Sequence, residues 1–141
     1  MKINALFKNI LAGVLAIIAI ITSHAQGLPA DFTIDGIYYA VDNDNSESCS
    51  VVGCDQTLTE VNVPSTVTNE SKTFTVGSIA ENAFYMNTAL VSVTIPNTVT
   101  EIGEAAFYLC SSLTSINLGE SLELIDVAAF NSCGSLTSVD L

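Results

Sequence analysis

Apolar and polar positions along the chain repeat with a period of 23 residues. Three segments align on one phenylalanine each: IAENAFYMNTAL (79–90), IGEAAFYLCSSL (102–113) and IDVAAFNSCGSL (125–136). The phenylalanines Phe84, Phe107 and Phe130 keep this spacing, as do the leucines that close the segments. No single unit can bury its own apolar side chains, so the repeat predicts a solenoid in which successive coils stack.

A second phrase, LxxVxI, alternates apolar and polar positions and predicts a short, half-buried strand in each unit. It occurs as LTEVNVP (58–64), LVSVTIP (90–96), LTSINLG (113–119) and LTSVDL (136–141). Pro64, Pro96 and Gly119 are expected to end these strands. The AF segments are predicted to form one or two short helical turns, packed against the strands because they are too short for an isolated helix.

The longer phrase LxxVxIPxxVxxIGxxAFxxCxxL is matched nearly completely by residues 90–113. Residues 113–136 match it with substitutions, because Gly119 replaces the proline and Asp126 replaces the glycine. Over residues 31–141 the chain resembles the BspA-like, or Treponema-type, leucine-rich repeats. The resemblance implies a repeat solenoid and, for function, adhesion to host matrix proteins or to other cells, without naming a partner.

Together these features predict an α/β-type repeat solenoid of leucine-rich repeats with period 23, built from short parallel strands and short helical turns. A small β cap at residues 26–57 is expected to precede the repeats at 58–141, the last of which is incomplete. The first repeat is nine residues longer than the others, since Leu58 and Leu90 are 32 residues apart. The extra residues fall within 68–78.

Residues 1–25 are predicted to be a secretory signal peptide. Lys2 and Lys8 give a short basic start before the apolar run 10–21. Ser23 and Ala25 then supply the small residues of a cleavage site. The run has 12 residues, fewer than the roughly 20 that a membrane span requires. We therefore expect a secreted or cell-surface protein without membrane insertion after cleavage; an uncleaved N-terminal anchor is the alternative.

Cleavage would leave Lys72 as the single cation against fifteen acids, a net charge of about 1 − 15 = −14. Nucleic acid is not an expected partner, because its binding requires cations that neutralise phosphates. The only histidine, His24, would also be lost, and the three basic residues of the sequence are all lysines. Catalytic Ser-His-Asp or Cys-His groups cannot be assembled from such a chain, so no enzyme, cofactor or metal site is predicted.

Cys110 and Cys133 occupy the same position of successive coils, where the first coil has Asn87. A catalytic or metal-binding group would not be expected to recur in this way, so we predict structural roles for these three residues and for the three phenylalanines. A disulfide between Cys110 and Cys133 is geometrically conceivable. Side chains at equivalent positions of parallel coils point the same way, however, which favours buried free thiols.

Cys49 and Cys54 lie outside the repeat and are predicted to form a local disulfide that pins the cap. A metal pair is the alternative, although further ligands are lacking. The acidic run at 42–47 is expected to be a solvated loop, because it lacks the glycine and the distal glutamate of an EF-hand. Glu101 and Glu104 have no carboxylate counterparts in the next coil, so they do not form a recurring acid pair.

The polar positions of the LxxVxI strands are the predicted binding surface, because repeated strands present a broad exposed face. These positions are Glu60, Asn62, Ser92, Thr94, Ser115, Asn117, Ser138 and Asp140. They lack the aromatic and arginine residues that dominate binding hot spots. The face could suit a basic or glycan-rich partner; a merely solvated surface is the alternative.

The predicted function is a non-catalytic module that binds an extracellular protein or glycan. The alternative is a spacer or targeting region of a longer extracellular protein whose activity lies in a missing C-terminal part. Since the sequence stops at Leu141 without a polar cap, we expect a fragment that can self-associate through its C-terminal coil.

Overall fold

Two β-sheets run side by side through residues 28–140, which are the residues that the computed structural model describes. The predicted signal peptide at 1–25 lies outside them. The strands are β1 (Phe32–Ile34), β2 (Ile37–Val41), β3 (Ser48–Cys54), β4 (Glu60–Asn62), β5 (Thr66–Asn69), β6 (Lys72–Ile79), β7 (Ser92–Thr94), β8 (Glu101–Ile102), β9 (Ser115–Asn117), β10 (Leu124–Ile125) and β11 (Ser138–Asp140).

The four-stranded sheet consists of the LxxVxI strands in the order β4-β7-β9-β11. All its pairs are parallel, and equivalent residues lie opposite each other, as Val93 lies between Val61 and Ile116. From β7 onwards each step between neighbours is one 23-residue period. The predicted solenoid period is therefore confirmed.

The seven-stranded sheet joins the N-terminal strands to the repeats in the order β1-β2-β3-β6-β8-β10, with β5 also paired to β6. The first three strands are antiparallel, whereas β3, β6, β8 and β10 pair in parallel. The nine additional residues of the first repeat contribute to the β5–β6 hairpin, whose turn includes Glu70 at φ 56°. One continuous sheet thus covers the start of the solenoid.

The core lies between the sheets and consists of columns of equivalent side chains. Leu90 and Leu113, like Ile79 and Ile102, are buried one above the other. Phe107 stacks between Phe84 and Phe130, with ring centroids 4.9 and 5.0 Å apart. Each fully buried side chain of this size contributes about 1.5–3 kcal/mol to stability.

The prediction of short helical turns in the AF segments is wrong, since no residue between 28 and 140 is helical. Alternate N–H groups of these segments donate to carbonyls of the next coil, as Phe84 N–H does to Ala106 O at 2.7 Å. The N–H groups between them bond locally, as Tyr85 N–H does to Asn82 O at 3.1 Å. A helix would direct every N–H along its own axis, so pairing between coils excludes it.

Recurring residues with positive φ produce this alternation. They are Asn82, Met86, Ala105, Leu109, Ala128 and Ser132, with φ between 52° and 63°. A left-handed conformation costs a non-glycine residue roughly 1–2 kcal/mol. The hydrogen bonds to the neighbouring coil offset this cost.

The third coil exposes the apolar columns that the second coil buries. Ile125 is 46 % exposed and Val139 53 %, whereas their equivalents Ile102 and Ile116 are 0 and 1 % exposed. The N–H groups of Ala128, Phe130 and Ser132 donate to no acceptor among residues 28–140. Self-association through this surface stays a prediction.

Candidate binding surface

The outward side chains of the four-stranded sheet form two columns, which we call the polar strand face. One column contains Glu60, Ser92, Ser115 and Ser138, and the other contains Asn62, Thr94, Asn117 and Asp140. Each member lies opposite its equivalent in the adjoining strand. The predicted surface residues are therefore brought together on one face, in register.

Alternation along each strand produces this face. The central residues of β4, β7 and β9 are Val61, Val93 and Ile116, and all three point into the core and are buried. Their neighbours must then point outward, because successive side chains of a strand alternate between its two sides. The two outward residues of each of these strands accordingly retain access to solvent.

The hydrogen-bonding groups at the centre of the face are unused within residues 28–140. Ser92, Thr94, Ser115 and Asn117 form no side-chain hydrogen bond to another described residue. The one such contact within the face joins Ser138 Oγ to Asp140 Oδ2 at 3.4 Å. These hydroxyl and amide groups are therefore available to a ligand.

Some polar side chains elsewhere in the coils bond the preceding or the next coil. The hydroxyl groups of Thr114 and Thr137 donate to carbonyls of the preceding coil at 3.1 and 3.2 Å. The amide oxygen of Asn97 accepts from Glu120 N–H at 3.1 Å. These side chains join coils, whereas those at the centre of the polar strand face do not.

Charge on the polar strand face lies only at its two ends, at Glu60 on β4 and Asp140 on β11. The middle two strands present neutral groups. Within residues 28–140 the single cation, Lys72, lies on the other sheet, with its ammonium 4.9 Å from the centre of the Phe74 ring. The face therefore carries no positive charge.

Cys110 and Cys133 lie in a column of compact groups at the turns before the four-stranded sheet. The thiol of Cys110 donates to Phe84 O, and that of Cys133 to Phe107 O, both at 3.0 Å. Asn87, which is fully buried, accepts from the N–H groups of Ala89 and Leu90 at 3.2 Å each. These contacts are structural, and both cysteines are free.

The expected disulfide between Cys49 and Cys54 is absent, and both thiols are free. The two residues lie five positions apart on the single strand β3. An extended strand advances about 3.3 Å per residue, which separates them by far more than the 4.4–6.8 Å between Cα atoms that a disulfide spans. The amide of Asn87 instead donates to the Cys54 sulfur at 3.4 Å.

Cys54 therefore begins the column that Asn87, Cys110 and Cys133 continue. The sequence concealed this role because Cys54 precedes its leucine, Leu58, by four residues, whereas the other three members precede theirs by three.

A second feature that the sequence analysis missed is the stack of Tyr85 on Tyr108, whose half-buried rings are 5.2 Å apart. The sequence feature that predicts this stack is a tyrosine at the same repeat position in two successive coils.

Burial suppresses the reactivity of these thiols. It raises the pKa of Cys54 and of Cys110 to about 12, and that of Cys49 to about 11. The pKa of Cys133, which is less buried, is also raised by burial. Because the thiolate is the nucleophile and the metal ligand, none of these positions is suited to catalysis at neutral pH.

We expect alkylation of the native protein to modify Cys133 before Cys110. Burial blocks access to Cys110, and its raised pKa keeps the thiolate fraction small even at pH 9, where a thiol with the ordinary pKa of 9.0 is half ionised. Iodoacetamide treatment at pH 8 and 9, followed by peptide mass spectrometry, measures the order. Equal rates for the two cysteines in folded protein would contradict the buried column.

Acidic side chains line two shallow grooves outside the four-stranded sheet. One groove has a volume of about 530 Å³ and borders Asp31, Asp42 and Asp44. The other has a volume of about 360 Å³ and is lined in part by the carboxylates of Glu81, Glu101, Glu104 and Asp126.

No group of three or more histidine, cysteine or acidic side chains within residues 28–140 is placed to hold a metal ion. That part of the chain also contains no helix long and apolar enough to cross a membrane.

Comparison with known proteins identifies the repeat. The BspA type leucine rich repeat region matches residues 54–141 in six copies. No curated protein matches the chain.

Solved structures share the fold. A leucine-rich repeat protein from Bacteroides ovatus is 36 % identical, with a TM-score of 0.73 over 79 % of this chain and 29 % of its own. A leucine rich cell surface protein from Faecalibacterium prausnitzii (27 % identity, TM-score 0.67) is matched over 81 % of this chain and 31 % of its own. The leucine rich repeat protein of Treponema pallidum is 27 % identical, with a TM-score of 0.68, and is matched over 78 % of this chain and 49 % of its own.

The chain thus spans less than half the length of these three structures. The repeat sequence, its register in the fold and these matches agree. The chain belongs to the family of BspA-type leucine-rich-repeat proteins.

Proposed function

We propose that this protein is a non-catalytic binding module of the cell surface or the extracellular space. It engages an extracellular protein or glycan through the polar strand face. The observation that carries the proposal is the register of β7 and β9, which sets Ser92 beside Ser115 and Thr94 beside Asn117, all without a side-chain hydrogen bond within residues 28–140. The cell-surface description of the Faecalibacterium protein supports the proposed location.

A non-catalytic role is supported by the chemistry of the side chains. The thiols are protonated at neutral pH because burial raises their pKa values. The one histidine of the sequence lies in the predicted signal peptide. A nucleophile would therefore lack an imidazole partner once that segment is removed.

A charge-reversal experiment tests the location of binding. Protein purified after expression of the full chain is applied to immobilised matrix proteins and polysaccharides, as wild type and as the Glu60→Lys/Asp140→Lys variant. We expect a retained ligand, and we expect its affinity to change about three- to tenfold in the variant, because charges at the rim of an interface modulate binding. Glu70→Lys/Glu101→Lys is the matched control, since it makes the same change of net charge on the other sheet.

Equal effects of the two variants would assign the change to overall charge and remove the polar strand face as the site. Absence of any retained ligand would contradict the binding function and favour the spacer alternative.

A further inference from the structure

We propose that the ligand of the polar strand face is a linear, uncharged polysaccharide that lies along the solenoid axis and places one sugar over each coil. This inference rests on the proposed function and specifies its partner. It is carried by the spacing, the chemistry and the charge of the face.

The face repeats with the spacing of the coils. Parallel strands lie about 4.7–4.9 Å apart, and the stacked rings of successive coils lie 4.9, 5.0 and 5.2 Å apart. The same two outward positions recur at each step, in strict register. An extended β-1,4-linked pyranose chain advances by a similar distance per sugar, so one sugar can lie over each coil. Successive sugars of such a chain face opposite ways, so equivalent hydroxyls recur at every second coil.

The free groups of the face match sugar hydroxyls. A serine or threonine hydroxyl both donates and accepts, and an asparagine amide does the same through separate atoms. Ser92, Thr94, Ser115 and Asn117 offer such groups without a competing partner among the described residues. The polar strand face has none of the aromatic and arginine residues in which hot spots between proteins are enriched. Each sugar would therefore bind weakly, and affinity would accumulate along the polymer.

Charge narrows the class of polymer. The face has no cation, and Glu60 and Asp140 carry negative charge at its two ends. Polysaccharides with carboxylate or sulfate groups would be repelled by this arrangement. Uncharged chains meet no such penalty, and the neutral middle strands can bind them by hydrogen bonds alone.

The dependence of affinity on chain length is the first test. Isothermal titration of the protein with β-1,4-linked oligosaccharides of glucose, xylose and mannose, two to six sugars long, should reveal binding of at least one series. In that series we expect each added sugar to raise the affinity about two- to tenfold, as for one or a few net hydrogen bonds. The gain should stop near four sugars, because the sheet has four described strands.

An isosteric pair of variants locates the contact. Thr94→Val removes one free hydroxyl of the face at nearly constant shape, and we expect it to weaken oligosaccharide binding about fivefold. Thr100→Val makes the same change at an exposed residue outside the four-stranded sheet, and it should leave the affinity unchanged. Both side chains are exposed, so we expect the two variants and the wild type to have equal thermal unfolding midpoints. Equal midpoints would show that folding is unaffected.

Several outcomes would overturn the inference. They are failure of all three series, affinity independent of length, binding of charged polymers only, or equal effects of the two threonine variants. If a matrix protein is retained through the face while every uncharged glycan fails, the inference is wrong and the proposed function stands. If no protein or glycan is retained, both are wrong.

Discussion

Replacement of Phe107 by alanine should lower the free energy of unfolding by about 3–5 kcal/mol, the range for a large aromatic side chain lost from a core. Phe107 is fully buried and lies between two parallel rings, with interplanar angles of 10° to Phe84 and 4° to Phe130. Its removal opens a cavity that neither neighbour can fill, because hydrogen bonds between coils fix the backbone of both segments. Urea unfolding followed by circular dichroism measures the loss.

Phe130→Ala is the matched control for this position. Phe130 occupies the same place in the next coil, but it is only partly buried and has a described aromatic neighbour on one side. We expect it to cost clearly less than Phe107→Ala. Equal losses would contradict a core whose strength depends on stacking from both sides.

Gly119→Ala should destabilise the protein by about 3 kcal/mol, at the upper end of the cost of overpacking. A Cβ atom at this position would lie 2.4 Å from the oxygen of Pro96 and 2.7 Å from its carbonyl carbon. Both are backbone atoms of the preceding coil, and the same oxygen accepts from Val99 N–H at 3.1 Å. The coils would have to separate locally to make room.

The control for this substitution is Gly134→Ala, because a Cβ atom at Gly134 would meet nothing within 4 Å. We expect its effect on the unfolding free energy to stay within about 0.5 kcal/mol, as for an ordinary surface change. If Gly119→Ala were tolerated equally well, the close approach of the first and second coils would be contradicted.

The parts of the fold that depend on local patterns were predictable. Val61, Val93 and Ile116 alternate with polar neighbours, so the direction of each side chain in the four-stranded sheet followed from the strand itself. The period of 23 then placed equivalent strands side by side. The outward direction of the side chains on the polar strand face could be predicted for this reason, whereas binding there stays a prediction.

The parts that depend on contacts between coils were not predictable. Nothing in the propensities of Ala105 and Leu109 indicates a left-handed conformation, which glycine and asparagine ordinarily adopt. It recurs at the same positions of all three coils and accompanies the hydrogen bonds between coils, which a single repeat does not reveal. The close approach at Gly119 is of the same kind, because the equivalent residue of the preceding coil is a proline.

The cysteines show how spacing alone can mislead. Cys49 and Cys54 are close in sequence, and the secreted context favoured a bridge. An extended strand separates them in space, and Cys54 packs against Asn87, 33 residues later. That the side chains of Ser92, Thr94, Ser115 and Asn117 form no hydrogen bond within residues 28–140 could likewise emerge only from the full set of contacts.

Side-chain amide signals in a ¹⁵N NMR titration test the central claim most directly. The ligand is whichever protein or polysaccharide the immobilised panel retains. Asn62 and Asn117 lie on the polar strand face, whereas Asn87 is buried and Asn97 contacts Glu120. We predict that ligand shifts the side-chain signals of Asn62 and Asn117 and leaves those of Asn87 and Asn97 in place. Shifts of Asn87 or Asn97 with unchanged Asn62 and Asn117 would contradict binding at this face.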